Sequence, residues 1–305
     1  MEVITMDIRR ENYPLFSGFG TVFCEVRDFL FQIQEDKDAS FNFPWGRWEW
    51  MFSLPYLETN RLDQIGIWRS ETRIVGLATY ESRFGDTYFC LDPEFSFLQK
   101  EMLEYSLDKM SGPKGPHILI PDVDAGFQEL ARGQGLAPTE WKEHLAVFDI
   151  NESISYTLPA GFSILHLSER FDLCEYNRVL HRGFNHPGEE SNDRDTILSR
   201  LASLSGPDVR LELNTAVVSP EGHFVSYCGM WHIPGSKYCL VEPVATDPAF
   251  RNLGLGKAAV HEGVKQCGLS GAIRAFVGSD QAFYYRIGFR PYSTETFWEK
   301  PNTLE

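Results

Sequence analysis

DPAFRNLGLGK, residues 247–257, is the stretch around which this chain can be organised. The apolar run 238–246 before it predicts a β-strand, and the residues 257–264 after it predict an α-helix. The first backbone N–H groups of a helix have no partner inside the helix, and the helix dipole is positive at that end. A strand, a glycine-rich loop and a helix N-terminus in this order therefore predict a phosphate-binding site.

Two glycines and two cations give this loop its chemistry. Gly254 and Gly256 have no Cβ, so the backbone can approach a phosphate closely and adopt positive φ where the turn needs it. Arg251 can donate two hydrogen bonds to phosphate oxygens, and Lys257 can add a point charge.

Several known loop types compete for this stretch. A P-loop needs G-x-x-x-x-G-K-[ST], but Ala258 follows Lys257 and no glycine stands five residues before Gly256. Residues 254–259 satisfy the dinucleotide pattern G-x-G-x-x-G/A, but 305 − 256 = 49 residues follow Gly256, too few for that sheet. An ordinary loop whose glycines serve packing remains a further alternative.

A second motif farther along the chain helps to distinguish between these loop types. Arg251 opens the pattern R-x-x-G-x-G, and Tyr284 opens the pattern Y-x-x-x-G-F, with a predicted strand at 271–277 between them. Together they resemble the GNAT superfamily of N-acetyltransferases, over about residues 213–292. The first pattern resembles the acyl-CoA pyrophosphate loop of that family.

This resemblance implies acetyl-CoA as the cosubstrate, with no metal. In the family the central strand supplies backbone hydrogen bonds to the pantetheine arm and the thioester carbonyl, and the loop holds the pyrophosphate. Carried over residue by residue, the implied cofactor-binding residues are Val244, Ala245, Thr246, Arg251, Asn252, Leu253, Gly254, Leu255, Gly256 and Lys257.

Two residues are implied for the chemistry. Tyr284 matches the family tyrosine that protonates the CoA thiolate; the alternative is a buried tyrosine of the core. Glu242, near the end of the central strand, is the expected base, because a carboxylate in an apolar strand can have a raised pKa. The alternative for Glu242 is a solvated or ion-paired strand residue. His186, in the loop 181–190 that is a candidate wall of the acceptor site, is a second possible base. Where the family often has an asparagine before the tyrosine, residues 279–281 read SDQ.

The motif D-P-x-F occurs at residues 92–95 and again at 247–250, which predicts two copies of one domain. The alignment places Ser96, Gln99, Glu101 and Ala131 where the second copy has Arg251, Gly254, Gly256 and Tyr284. The first copy thus lacks the cation, both glycines and the tyrosine, and a carboxylate there would repel phosphate.

The resemblance therefore implies an α/β chain (α+β, with mixed sheets) of two GNAT-like domains, each a mostly antiparallel twisted sheet flanked by helices. Residues 1–150 are expected to form a degenerate domain without the pyrophosphate loop. Residues 151–305 are expected to form the acetyl-CoA-binding catalytic domain, with 151–160 as the linker. The aromatic segment 41–52 can either form a box for an apolar or cationic group or pack in the core.

Composition and charge limit which partners, metal sites and locations are expected for this chain. The net charge of −15 argues against a nucleic-acid partner and is compatible with a cationic acceptor. The 6 cysteines form no C-x-x-C pair, so neither a zinc site nor a disulfide framework is indicated. No run approaches the ~20 apolar residues that span a bilayer, and no signal peptide is recognisable, so a cytoplasmic location is expected. The sequence does not indicate the oligomeric state.

The expected function is an N-acetyltransferase that moves an acetyl group from acetyl-CoA to a primary amine by direct attack on the thioester. The acceptor is a small-molecule or peptidyl amine whose identity the sequence does not give. The alternative is a non-catalytic acyl-CoA-binding sensor or regulatory protein.

Overall fold

The computed structural model describes residues 7–15, 18–36, 41–151 and 154–301. The chain divides into two compact units, which are described separately. The first unit comprises Met1–Leu145 and Ser293–Glu305, and the second comprises Ala146–Tyr292. None of the described helices is long and apolar enough to cross a membrane.

In chain order, the elements up to residue 149 are β1 (Ile8–Asn12), α1 (Thr21–Asp36), α2 (Trp45–Met51), β2 (Gly66–Ser70), β3 (Arg73–Thr79), β4 (Asp86–Leu91), α3 (Gln99–Lys109), β5 (His117–Pro121), α4 (Ala125–Gly133) and β6 (Ala137–Asp149). The later elements are β7 (Ser163–His166), α5 (Leu173–Gly183), α6 (Arg194–Ala202), β8 (Thr215–Val218), β9 (Phe224–Trp231), β10 (Tyr238–Thr246), α7 (Leu255–Leu269), β11 (Arg274–Val277), α8 (Ala282–Arg286) and β12 (Arg290–Glu299).

The first unit is built on a sheet with the strand order β1-β2-β3-β4-β5-β12. Its neighbouring strands are antiparallel except β4 and β5, which are parallel. The parallel ladder is short: it pairs Asp86 with His117 and Thr87 with Ile118. Beyond these pairs β4 continues to Leu91 and remains paired with β3 alone among the described strands.

The second unit repeats this arrangement, with the strand order β7-β8-β9-β10-β11-β6. Again only one neighbouring pair, β10 and β11, is parallel. Successive strand residues face opposite sides of a sheet, so two separate cores form. One core contains α7 residues such as Val260 together with Val241 of β10, and the other contains Val179 of α5 together with Ala245 of β10. The predicted fold, two mostly antiparallel sheets flanked by helices, is confirmed.

The units exchange their last strands along the chain. Ala146–Asp149 of β6 pair with β11 in the second unit, and Glu295–Trp298 of β12 pair with β5 in the first. The chain passes from the first unit to the second between residues 145 and 146, and residues 293–305 belong to the first unit. A sequence pattern cannot reveal this exchange, because it identifies strands without their pairing partners.

The predicted linker at 151–160 is attached to the second unit rather than free. Ile154, Tyr156 and Leu158 pack against the core that contains α7, and the hydroxyl of Tyr156 donates a 2.6 Å hydrogen bond to the buried Glu262. Residues 152 and 153 of this predicted linker lie outside the described residues.

The aromatic segment 41–52 packs in the first unit's core. Phe43, Trp45 and Trp48 are 1% exposed or less. The guanidinium of Arg47 lies over the rings of Phe43 and Tyr88, at 5.5 Å and 4.5 Å from their centroids. Within this segment the face of Phe43 is thus already occupied by a cation, the guanidinium of Arg47.

Candidate functional site

The site is built where β10 leaves its parallel neighbour. The ladder between β10 and β11 ends at the pair Leu240–Phe276, whereas β10 continues to Thr246. On its other side β10 pairs with β9 through a register shift between Val241 and Val244. Among the described strands, residues 241–246 thus have a partner on the β9 side only. We call the space between the separated ends of β10 and β11 the second-unit cleft.

A buried aspartate fixes the turn at the end of β10. Asp247 is fully buried; its backbone N–H donates to the carbonyl of Val225 (3.0 Å), and its Oδ1 accepts from the N–H of Ala249 (3.0 Å). Its Oδ2 lies 2.6 Å from Nε of Arg182 in an ion pair. Because breaking these contacts would leave a buried charge, the turn is held firmly in place.

The loop after this turn has the left-handed backbone that its glycine predicts. Gly254 has φ = 79° and immediately precedes α7, and Asn252 also has positive φ, at 65°. A Cβ on Gly254 would meet nothing within 4 Å, so its backbone is accessible from outside. A Cβ on Gly256 would lie 3.0 Å from Oγ1 of Thr246 and 3.2 Å from the ring of Phe283. Gly254 thus provides the turn, while Gly256 allows α7 to pack closely against β10 and α8.

The two cations of the loop have different surroundings. Arg251 donates to the carbonyls of Thr246 (3.1 Å) and Gly183 (2.9 Å) and to Oδ1 of Asn185 (3.1 Å). Its guanidinium therefore ties the loop to the end of α5, which differs from the expectation that it points at phosphate. Lys257, in the first turn of α7, has no ion pair with any described residue. Its charge is available to an anion at the helix N-terminus.

The adjacent residues Tyr284 and Tyr285 differ in how exposed they are. Tyr284 is 7% exposed and Tyr285 is 37% exposed. The ring of Tyr284 packs against Phe283 and Phe289, but its hydroxyl has no hydrogen-bond partner in the described part of the chain. Burial raises the pKa of Tyr284, and the nearby negative charge of Glu242 raises it further. The hydroxyl therefore remains protonated at neutral pH.

Since Glu242 influences the pKa of Tyr284, the two side chains lie within electrostatic range of each other. Glu242 lies in the part of β10 beyond its ladder with β11, and it is partly buried. Cys228, on β9, completes this group; burial raises the pKa of its thiol, so it is neutral. Cys228 escaped the sequence-based interpretation because a cysteine outside any spacing motif carries no signal for a site.

The loop after α5 brings two histidines together. Residues five apart do not share a helical face, so a continuous helix would keep His181 and His186 apart. The helix ends at Gly183, and the returning chain places the two rings 5.5 Å apart. The N–H of His186 donates to the carbonyl of His181, and Nε2 of His181 lies 3.2 Å from the carbonyl oxygen of Gly188. No contact links His186 to Tyr284 or Glu242 among the described residues.

The first unit has the same turn at the same place. The N–H of Asp92 donates to the carbonyl of Val75 (2.9 Å), its Oδ1 accepts from the N–H of Glu94 (3.1 Å), and its Oδ2 pairs with Arg73 (3.0 Å). The two hydrogen bonds correspond to those of Asp247, whereas the cation comes from β3 here and from α5 in the second unit. The equivalent hydrogen bonds of the two turns thus support the alignment of the two D-P-x-F motifs.

Beyond this turn the two units diverge. A 3₁₀ helix over Pro93–Leu98 runs directly into α3 at Gln99, and none of residues 92–99 has positive φ. The first unit therefore has no glycine-rich loop before its helix. The carboxylate of Glu101, aligned with Gly256, accepts a 2.9 Å hydrogen bond from the indole of Trp68.

The first unit also has an equivalent of the position that Tyr284 occupies in the second. The N–H of Leu136 donates to the carbonyl of Ala131 (3.0 Å), as the N–H of Phe289 donates to that of Tyr284 (3.0 Å). Ala131, fully buried, thus replaces the tyrosine and its hydroxyl. The two helices end at aligned positions. Since α4 has 9 residues and α8 has 5, α4 begins about one turn earlier than α8.

Comparisons with known proteins agree with this geometry. Residues 182–289 match the model of the acetyltransferase (GNAT) family. No curated protein matches the chain. A GCN5-related N-acetyltransferase from Sphaerobacter thermophilus has a similar structure, with a TM-score of 0.57 and 13% identity, covering 95% of this chain and 94% of that one. A tandem GNAT protein from the clavulanic acid biosynthesis pathway, solved without AcCoA, has a TM-score of 0.59 and 12% identity, covering 96% and 98%.

A more distant similarity is to N-myristoyltransferase of Saccharomyces cerevisiae with bound myristoyl-CoA, with a TM-score of 0.52 and 10% identity, covering 98% of this chain and 80% of that one. At such identities the structures show the fold alone. Residues 182–289 thus match the GNAT family model, and the chain has the fold of the tandem GNAT protein, as predicted. The family match supports acyl transfer as the class of activity.

Proposed function

We propose that the second unit transfers an acetyl group from acetyl-CoA to a primary amine and that the first unit does not bind acetyl-CoA. The observation that carries this proposal is the second-unit cleft, which ends at the left-handed loop of Gly254 and the start of α7. It combines an edge of β10 that pairs with no described strand, an accessible helix N-terminus, and Lys257, which forms no ion pair with any described residue.

The diphosphate of the cosubstrate would lie against the loop 251–257. The N-terminal N–H groups of α7 would donate to its oxygens, and the helix dipole and Lys257 would neutralise part of its charge. Arg251 would contribute by holding the loop in shape, through its hydrogen bonds to Thr246 and Gly183. The backbone of Val244, Ala245 and Thr246 would hydrogen-bond the pantetheine arm along the edge that faces the cleft.

Glu242 and Tyr284 would divide the proton transfers. Glu242 would accept the proton of the attacking amine, and the hydroxyl of Tyr284 would donate to the departing sulfur. The two steps are coupled, because the negative charge of Glu242 helps to raise the pKa of Tyr284. When Glu242 takes up a proton this charge disappears, and the hydroxyl becomes a stronger acid as the thiolate leaves.

Calorimetric titration with acetyl-CoA tests this proposal. We expect one site per chain, and a loss of at least about 100-fold in affinity in Gly254→Glu, where a carboxylate faces the diphosphate in a strained left-handed position. Gly135→Glu is the matched control, since Gly135 also has an open surrounding and φ = 78° but belongs to the first unit. It should bind acetyl-CoA like the wild type. Two sites per chain, or equal losses in both variants, would contradict the proposal.

Release of free thiol from acetyl-CoA in the presence of an amine library then tests turnover. Acetyl-CoA binding without thiol release from any amine would favour the alternative, a non-catalytic acyl-CoA-binding sensor. Glu242→Gln should then be compared with the wild type across pH, because loss of the base should shift activity toward pH values at which more of the amine is neutral.

A further inference from the structure

The first unit contains a cavity at the position that corresponds to the second-unit cleft. It has a volume of about 240 Å³ and lies between the separated ends of β4 and β5, under the start of α3 and α4. We call it the first-unit cavity. An engineered cavity of about 150 Å³ binds benzene, so this one has room for an aromatic ring with a short side chain.

Most of the wall is apolar. It is formed by side chains such as Phe89, Met102, Leu119 and Phe127. Met102, Leu119 and Phe127 are 3% exposed or less, which places them in the core, and Phe89 packs against Phe127 with ring centroids 5.3 Å apart. An apolar group of matching size would gain hydrophobic stabilisation there.

An amide oxygen in this wall lacks a partner. Nδ2 of Asn42 donates to the carbonyl of Phe89 (3.3 Å), on the part of β4 that has left β5. Because a carbonyl can only accept, the amide nitrogen must face Phe89, and Oδ1 faces the other way. This Oδ1 is buried without a hydrogen-bond partner in the described part of the chain. Because almost none of its surface is accessible, this oxygen lies behind the cavity wall rather than at its surface.

A carboxylate without a cation lies in the same wall. Asp124 precedes α4; its Oδ1 accepts from the N–H of Phe127 (2.9 Å) and its Oδ2 from the amide of Gln99 (2.8 Å). Neither donor is charged, and no described Lys, Arg or His forms an ion pair with Asp124. Each carboxylate oxygen retains capacity for a further donor.

The charges of the lining exclude an anion. Its described residues include Asp124 but no lysine, arginine or histidine, and the helix start that would cradle a phosphate is filled by the 3₁₀ helix and Gln99. We propose that the first-unit cavity binds a small primary amine with an apolar body, whose ammonium group donates to the carboxylate of Asp124. The first unit would then have exchanged a diphosphate site for an ammonium site, at the same place in the fold.

Three probes of nearly equal size test this proposal on the full chain: benzylamine, benzyl alcohol and benzoate. Calorimetry should show benzylamine binding, benzyl alcohol binding about tenfold more weakly because its donor is neutral, and no binding of benzoate. Asp124→Asn keeps the shape and the helix cap but removes the charge, and should weaken benzylamine binding about tenfold or more. Ser96→Trp, at an exposed position of the rim, should block the cavity.

Because the second unit is itself proposed to take an amine, the control is Glu242→Gln. Benzylamine binding to the first-unit cavity should survive this substitution, and acetyl-CoA binding should survive Asp124→Asn, which also shows that the variant folds. Binding of benzoate as tightly as benzylamine, no benzylamine binding at millimolar concentration, or benzylamine binding unaffected by both Asp124→Asn and Ser96→Trp would overturn the proposal. None of these outcomes depends on whether the second unit transfers acetyl groups.

Discussion

The cleft of the second unit and the cavity of the first unit lie at the same position of one fold, but different residues form them. In each unit a short parallel ladder ends, the two strands separate, and a buried aspartate in a D-P turn fixes the longer strand. In the second unit a glycine-rich loop and an accessible helix start follow; in the first, a 3₁₀ helix and an earlier start of α4 follow. The strand separation thus belongs to the fold, whereas a few residues after the turn decide what can bind.

The largest effect is expected from the hydroxyl that the first unit lacks. Tyr284→Phe should lower kcat by about 10²- to 10⁴-fold, the range of a general acid, with little change in acetyl-CoA affinity. Tyr285→Phe is the matched control, because this neighbouring tyrosine is exposed and its hydroxyl is not needed. Steady-state kinetics on both variants decide between the roles: similar kcat values for the two would make Tyr284 a residue of the core alone.

The shared turn should respond in the same way in both units. Arg182→Ala and Arg73→Ala each remove the closest cation from a buried aspartate, Asp247 or Asp92. We expect each to lower the free energy of unfolding by up to about 3 kcal/mol, since a buried carboxylate loses its closest cation. Denaturant unfolding measures this loss. A much smaller loss in one unit would show that its turn is held by hydrogen bonds alone and that the two turns are not equivalent.

Much of this comparison could be predicted from the sequence. The D-P-x-F repeat, Gly254 and the position of Tyr284 are local patterns, and their geometry follows from backbone rules that depend on few neighbours. The exchange of β6 and β12 could not be predicted, because pairing partners are distant in sequence. Nor could the three acceptors of Arg251, which come from two other elements, or the first-unit cavity, since a volume is defined by residues from many segments.

We expect acid to destabilise each unit through a different glutamate, Glu143 in the first unit and Glu262 in the second. The pKa of Glu143 is lowered: burial opposes this, but the charge of Arg47 and hydrogen bonds from Arg47 and Tyr88 outweigh burial. The pKa of Glu262 is lowered by hydrogen bonds from Tyr156 and Gln266, again against burial. A lowered folded pKa means stability that is present above the unfolded value and is lost as pH falls toward the folded value.

Glu143→Gln and Glu262→Gln should therefore each flatten the decline of unfolding free energy between neutral pH and about pH 4, near the ordinary glutamate pKa. Denaturant unfolding over this pH range gives the slopes. A slope identical to the wild type in either variant would mean that the carboxylate concerned titrates alike in the folded and unfolded chain.

The smallest effect is expected from an attempt to restore the lost site. The triple variant Ser96→Arg, Gln99→Gly, Glu101→Gly copies the cation and glycines of the second unit into the first. We expect it to bind acetyl-CoA at one site per chain, as the wild type does, because the 3₁₀ helix still runs into α3 and α4 still begins about one turn earlier than α8. Its stability should fall by about 2–4 kcal/mol, because two glycines enter a helix and the buried indole of Trp68 loses its acceptor. Titration calorimetry counts the sites. A second site would mean that side chains alone, rather than the course of the backbone after the D-P turn, separate the two units, and the argument from the missing left-handed loop would then fail.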